Sequence, residues 1–293
     1  MDFEETAKAL EATGSYRVLR KLEPRLRYAE EDGTEKKIGI ILDVETTGLD
    51  PTLGEVIELG MVKFDFAADG RIFGVLDAFD EMRQPSEPIP AEITALTGIT
   101  DADVAGKSID TSNVAAFIAD ASVIIAHNAG FDRKFSERAW PLFERKAWAC
   151  SATQVDWRSE GFDGSRLGYL LAGCGLFHSA HRADADCAAL LEILSRPLPL
   201  SGELALKRLL DKARQNTARV WAINSPFDLK DVLKARGYRW NDGSDGRPKS
   251  WWADIPADGL EAERRFLQQE VYGWEADIPA TKITAFDRFS LRV

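Results

Sequence analysis

The apolar run Ile38-Gly39-Ile40-Ile41-Leu42, followed at once by Asp43-Val44-Glu45-Thr46-Thr47-Gly48, constrains this chain more than any other stretch. A short run rich in β-branched residues reads as a buried central strand. Residues two apart on a strand share a face, so Asp43 and Glu45 stand side by side at its C-terminal end. Two unpaired carboxylates there repel each other and lose hydration. A hard divalent cation such as Mg²⁺ or Mn²⁺ relieves both costs, because carboxylate oxygens are its preferred ligands. Taken alone, the pair is equally an ordinary surface Asp and Glu at a strand end.

Two later motifs repeat the theme. Val123-Ile124-Ile125-Ala126 is a second apolar strand, and His127-Asn128-Ala129-Gly130-Phe131-Asp132 carries it into a helix. An Asp near a helix start is also a common dipole-stabilising choice, and His127 and Asn128 also suit a turn. The third motif, His181-Arg182-Ala183-Asp184-Ala185-Asp186, opens another helix. Leu190 and Ile193 follow Asp186 at four and seven residues, so its carboxylate shares a face with packed side chains and needs a partner. Arg182, four residues earlier, is the plain candidate; a metal ion is the sharper one. His181 precedes the helix, and an imidazole that titrates near neutrality suits a general base. An exposed loop histidine is the ordinary alternative.

Asp-x-Glu after one strand, Asn-x-x-Phe-Asp after another and His-x-x-x-x-Asp on a late helix occur in that order. Together they resemble the DEDDh 3′–5′ exonucleases, the family of the proofreading subunit of bacterial DNA polymerase III, ribonuclease T and oligoribonuclease. Glu55-Val56-Ile57-Glu58-Leu59-Gly60 resembles the family's second strand, and the stretch from Pro90 to Thr100 its helix and turn. The resemblance covers about 38 to 195, and Asp43, Glu45, Asp132, His181 and Asp186 all match. It implies that Asp43, Glu45 and Asp186 hold one Mg²⁺ or Mn²⁺ ion and that Asp43 and Asp132 hold a second. His181 is the implied base. Thr46, Thr47, Leu49 and Asn128 are the implied contacts to the terminal nucleotide, with Leu49 packing on its base. The implied fold is an α/β, ribonuclease H-like mixed sheet flanked by helices.

At 293 residues the chain exceeds the usual single domain. No apolar stretch approaches the roughly 18 residues of a membrane span. The start Met1-Asp2-Phe3-Glu4-Glu5 has no secretory pattern, and Cys150, Cys174 and Cys187 lack metal-ligand spacing. A cytoplasmic protein with reduced cysteines and no membrane contact is expected. The net charge of −11 is unequally spread. Residues 204–249 hold 11 basic and 5 acidic side chains, the one strongly basic segment.

Three parts are expected: a helical extension over 1–37, an exonuclease domain over 38–196, and a small α+β module over 203–293. In the extension, residues around Ala7 and Leu10 and again Tyr16 to Leu19 suit short amphipathic helices. Pro197 and Pro199 mark the link between the later parts. In the module, a helix over about 203–215 precedes a strand at 219–223, a helix at 228–235 closed by Gly237, two strands at 238–240 and 249–252, a helix at 258–272 and a strand at 281–291. Lys234, Gly237, Trp240 and Trp251 or Trp252 weakly resemble a pattern in small modules, some of them attached to DNA-processing proteins. Tyr238, Arg239, Trp240, Arg247, Lys249, Trp251 and Trp252 read either as a basic, aromatic surface for single-stranded nucleic acid or as a small core with a basic rim. Arg239, Arg247 and Lys249 are the expected nucleic-acid contacts.

The reading that covers most of these residues is a metal-dependent 3′–5′ exonuclease that releases nucleoside 5′-monophosphates. Its expected partners are DNA 3′ ends, single-stranded above all, and a DNA polymerase or repair protein. A 3′–5′ exoribonuclease shares the same motifs. A non-catalytic scaffold that binds 3′ ends or a polymerase is the reading from another class, and four acidic groups argue against it.

Overall fold

A computed structural model describes residues 2–244 and 246–293. The chain divides into two compact units: residues up to 212 with Phe289–Arg292, and residues 213–288 with Val293.

In the first unit, α1 (Phe3–Ala12) leads to β1 (Arg20–Lys21), and three long strands follow: β2 (Lys36–Thr46), β3 (Val56–Ala67) and β4 (Ile72–Met82). Helices α2 (Ala91–Thr97), α3 (Asp101–Val104) and α4 (Thr111–Ile118) precede β5 (Val123–Ala126). Then come α5 (Ala129–Ala139), β6 (Trp148–Cys150), α6 (Ser151–Gln154), α7 (Leu167–Gly173), β7 (Leu176–Phe177), α8 (Ala183–Leu194) and α9 (Ala205–Arg214). The five-stranded sheet runs in the order β4-β3-β2-β5-β6. β2 and β3 are antiparallel, as are β3 and β4, whereas β5 is parallel to both β2 and β6. This is the mixed, helix-flanked sheet expected.

β2 is central because Ile40, Ile41 and Leu42 are buried on both faces. On one face Ile40, Leu42, Ile124 and Ala126 pack with Phe135, Phe143 and Trp148, which ties α5 to the sheet. The turn after α2 needs Gly98 in the left-handed region, at φ 74.

Residues 16–19 form no helix. The first helix stops at Thr13 and Gly14, the latter at φ 71, and the chain continues extended into β1, which pairs in parallel with β7. The helix expected to open the second module belongs by its contacts to the first unit. Leu206, Leu209 and Leu210 are buried, and the Ala205 N–H donates to the Arg196 carbonyl at 3.0 Å. Arg208 pairs with Glu160 at 3.6 Å, and the backbone of Lys207 lies so near Gly70 that a Cβ there would be 2.6 Å away. The division therefore follows Lys212 rather than the prolines.

The second unit is a four-stranded sheet in the order β11-β8-β10-β9, formed by β8 (Thr217–Ile223), β9 (Arg239–Asn241), β10 (Ser250–Pro256) and β11 (Ala280–Ile283). α10 (Lys230–Ala235) and α11 (Leu260–Phe266) complete it. Gly237 follows α10 at φ 87, the capping role expected of it. The last strand ends at Ile283, well short of 291. There the Asp287 carboxylate accepts from the Thr284 N–H and hydroxyl at 3.0 and 2.6 Å and closes a turn.

Candidate functional site

Three elements converge on one acidic cluster. Asp43 and Glu45 lie on the last turn of pleat of β2, and Asp186 lies in the first turns of α8. One oxygen from each of the three carboxylates lies within 4.8 Å of the other two. Asp132, in the first turn of α5 and buried, is outside that trio. Its Oδ1 accepts from the Val44 N–H at 3.3 Å, between the two β2 carboxylates. All four sequence-expected acids thus come to the same end of the sheet.

The cluster is electrostatically strained. Burial, then the charges of Asp132, Asp186, Glu45 and Glu58, raises the Asp43 carboxyl well above its usual range. Burial first, then Asp186, Glu58 and Asp132, pushes Glu45 up to about 8. Burial lifts Asp132 to about 7 against the downward pull of two backbone N–H groups. Such acids either hold protons or share a cation. The donors are all oxygen, which suits Mg²⁺ or Mn²⁺ rather than a thiolate-seeking metal.

Asp186 is held from two sides. Its Oδ1 meets His178 Nε2 at 2.7 Å, and its Oδ2 accepts the His181 N–H at 2.8 Å. His181 itself stands exposed at φ 66, a left-handed conformation that is costly outside glycine. Its imidazole makes no hydrogen bond among the described residues; the ring that bonds to the cluster is that of His178, which sequence reasoning missed. A solitary histidine three residues before a motif carries no local signal. Its role rests on the loop that folds it back.

Arg182 does not pair with Asp186. It forks onto the fully buried Glu58 of β3 at 2.7 to 3.3 Å, and Glu58 also accepts the Ala183 N–H at 3.0 Å. Glu58 had a signal: a charge inside the apolar run Val56 to Leu59 must find a partner. Beside it, Gly60 lets α8 approach so closely that a Cβ there would lie 2.6 Å from the Ala183 carbonyl carbon.

The remaining expected residues divide by exposure. Leu49 is 83% exposed, an apolar side chain left in solvent. The Thr46 hydroxyl donates to the Gly48 carbonyl at 2.7 Å, and the Thr47 hydroxyl accepts the Glu55 N–H at 2.9 Å, so both serve the turn that carries Leu49. Asn128 is exposed at the start of α5 and makes no capping bond with its side chain. His127 is structural. Its Nε2 lies 2.6 Å from the Ser165 carbonyl and its Nδ1 2.8 Å from the Ser151 hydroxyl, so Nε2 carries the proton, and burial lowers its pKa.

In the second unit the aromatic set splits. Tyr238 is core, its hydroxyl donating to Glu263 at 3.0 Å, and Trp251 packs against that core. Trp240 is 53% exposed and contacts Trp251 with 5.5 Å between ring centroids. Trp252 lies on the opposite face of the sheet with Trp221, and Arg239 and Arg247 are beside them. Lys249 packs its stem by Gly243 in the preceding turn.

A chain with this cluster is similar to proteins of DNA synthesis. It is 28% identical over 205 residues to a PolC-type DNA polymerase III of Thermotoga petrophila, a match that takes in 64% of this chain and 14% of that protein. It therefore spans about a seventh of the length of that relative. It is also 29% identical over 162 residues to the DNA polymerase III epsilon subunit of Treponema pallidum, covering 52% of this chain and 73% of that one. Among solved structures, exonuclease X in complex with 5′-overhanging duplex DNA aligns at TM-score 0.43 and 26% identity, over 59% of this chain and 99% of that one. No helix of the described residues is long and apolar enough to cross a membrane. The RNase_T family model, described as exonuclease, matches residues 40–194, from the strand that carries Asp43 and Glu45 to the end of the helix that carries Asp186. Because that match takes in more than half of the sequence, the chain belongs to the exonuclease family.

Proposed function

We propose that this protein is a 3′–5′ exonuclease that removes nucleoside 5′-monophosphates from DNA 3′ ends with the help of divalent cations. The observation that carries the reading is the convergence of Asp43, Glu45 and Asp186 within 4.8 Å, with Asp132 against the same strand. Asp43, Glu45 and Asp186 would hold one Mg²⁺ or Mn²⁺, and Asp43 with Asp132 a second. Two such ions supply an activated water and charge neutralisation at the scissile phosphate and the leaving 3′ oxygen.

The chain's own groups do the rest. His178 and the His181 N–H fix the Asp186 carboxylate, so its oxygens need not reorganise when substrate arrives. His181, exposed at the head of α8, takes the proton of the attacking water. Leu49 gives the terminal base an apolar surface, and Asn128 offers an amide just past the end of the neighbouring parallel strand β5. Arg239, Arg247 and Lys249 of the second unit contact nucleic-acid phosphates. The DNA polymerase III names of the relatives favour DNA over RNA and a polymerase or repair protein as partner. The three cysteines, unpaired in this structure, suit a reducing cytoplasm.

The test uses 5′-labelled 20-mers of DNA and RNA, single-stranded and duplex, with Mg²⁺, Mn²⁺ or chelator. A ladder that shortens from the 3′ end, with mononucleotide release from single-stranded DNA fastest and none in chelator, is expected. Turnover that persists in purified Asp43→Asn or Asp186→Asn protein, or mononucleotides cut from the 5′ end, overturns the assignment. Binding of 3′ ends with no turnover under any metal points instead to a scaffold.

A further inference from the structure

The sheet of the second unit has two chemically different faces. Along β8, Ala218, Val220 and Ala222 are buried, while Arg219 and Trp221 alternate with them and are half-buried. Val220 and Ala222 pack with Leu233, Tyr238, Ala253, Leu267 and Val271. Trp221 and Trp252 pair across β8 and β10 on the other face, with ring centroids 6.1 Å apart and planes 38° apart, and neither joins that core.

Cations surround this pair. The Arg219 guanidinium lies 4.1 Å from the Trp252 ring and is braced by Asp254 at 2.7 and 2.8 Å. Arg239, opposite Trp252 in the β9–β10 register, lies 4.9 Å from the same ring, and Arg247 lies 5.9 Å from Trp221. The indole N–H groups of Trp148 and Trp157 donate to carbonyls at 3.3 and 2.7 Å. Those of Trp221 and Trp252 make no hydrogen bond among the described residues. Trp221 lies in the basic stretch 204–249 and Trp252 three residues beyond it, within a chain of net charge −11.

We infer that this face takes a single strand of nucleic acid, with bases stacked on Trp221 and Trp252 and phosphates met by Arg239 and Arg247. Stacking on aromatic planes beside a basic track is how single strands are held without regard to sequence, and arginine against an indole face adds attraction of its own. Charge complementarity selects this occupant over a protein partner: the charged groups over the two indoles are arginines, and the Asp254 carboxylate is spent on Arg219. The inference deepens the exonuclease reading by adding a holding site for the polymer that the acidic cluster would cut.

The experiment measures anisotropy of labelled dT20, U20 and an abasic 20-mer with the full chain in chelator, so that turnover plays no part. dT20 and U20 are expected to bind, and the abasic strand to bind more weakly. Trp221→Leu and Trp252→Leu keep apolar volume but lose the stacking plane. Each is expected to weaken dT20 binding about tenfold, with partial recovery in the Phe variants. Binding of dT20 that the Leu variants leave unchanged overturns the inference, as does wild-type binding indifferent to the bases. Should the Leu variants fail to fold, Arg239→Ser with Arg247→Ser is expected to flatten the dependence of log affinity on log salt by about 1.4; an unaltered slope overturns it equally. Failure of the exonuclease reading shows separately, as wild-type protein that releases no nucleotide with metal.

Discussion

Removing the cations should make the protein less stable as pH rises, because the acidic cluster folds more readily protonated than charged. Glu45 moves from an ordinary 4.5 to about 8, chiefly through burial. A carboxyl whose folded pKa exceeds its unfolded value binds more protons folded than unfolded between those two values. Stability is then fully present below pH 4.5 and falls as pH climbs toward 8. At about 1.4 kcal/mol per pKa unit, this one group corresponds to about 5 kcal/mol across the window. Asp132, lifted to about 7, acts in the same direction. For a unit of some 200 residues, 1 kcal/mol shifts Tm by about 2 to 4 °C, so a fall on the order of 10 °C between pH 5 and pH 8 is expected in chelator. Saturating Mg²⁺ should remove most of that slope, and Glu45→Gln should reduce it in chelator. Thermal melts at half-unit pH steps decide the matter. A Tm in chelator that is flat or rises from pH 5 to 8 would refute the electrostatic account of the cluster.

Three further outcomes follow from the packing around α8. Gly60→Ala places a Cβ 2.6 Å from the Ala183 carbonyl carbon, so it should cost about 1 to 3 kcal/mol and lower Mg²⁺-dependent turnover by displacing Asp186; denaturant melts and metal titrations check both. Glu58→Ala strips Arg182 and the Ala183 N–H of their acceptor, and a loss of about 2 kcal/mol is expected in urea melts, since Arg182 retains access to water. His178→Ala should raise the Mg²⁺ concentration for half-maximal turnover ten- to a hundredfold, and an unaltered metal requirement would show that the imidazole does not hold Asp186 in place.

The acids were legible because each sits on a pattern with its own period. Asp43 and Glu45 follow a strand that only a buried sheet position explains, and Asp132 and Asp186 stand at the starts of helices whose apolar residues fix the inward face. Of the supporting residues, only Glu58 carried a signal, as a charge inside an apolar run. Arg182 looked like a partner for Asp186 because four residues on a helix bring side chains together. The fully buried Glu58 offered it a deeper need, since an unpaired carboxylate inside β3 would cost more than an exposed helix pair gains. His178 reaches Asp186 from the loop ahead of α8, where no strand or helix period announces a side chain's direction. Trp251 and Trp252 show the same limit. Neighbours on a strand point to opposite faces, so one tryptophan had to be core and the other not, but only the register against β8 says which.

Register in the first unit's sheet is what assembles the cluster. Across the antiparallel pair of β2 and β3, Asp43 lies opposite Gly60 and Glu45 opposite Glu58. Each of the two β2 carboxylates therefore has beside it one of the two residues that seat the start of α8: Gly60 by allowing close approach, Glu58 by capturing Arg182 and the Ala183 N–H. The third carboxylate, Asp186, follows Ala183 by less than a turn. A slip of one residue between β2 and β3 would send Glu58 to the opposite face and put a side chain where Gly60 now admits the helix. The separation of Asp186 from Asp43 and Glu45 is thus set by sheet pairing rather than by the loop before α8. This is how residues more than 140 positions apart in sequence come to share one pocket in a fold with no covalent cross-link.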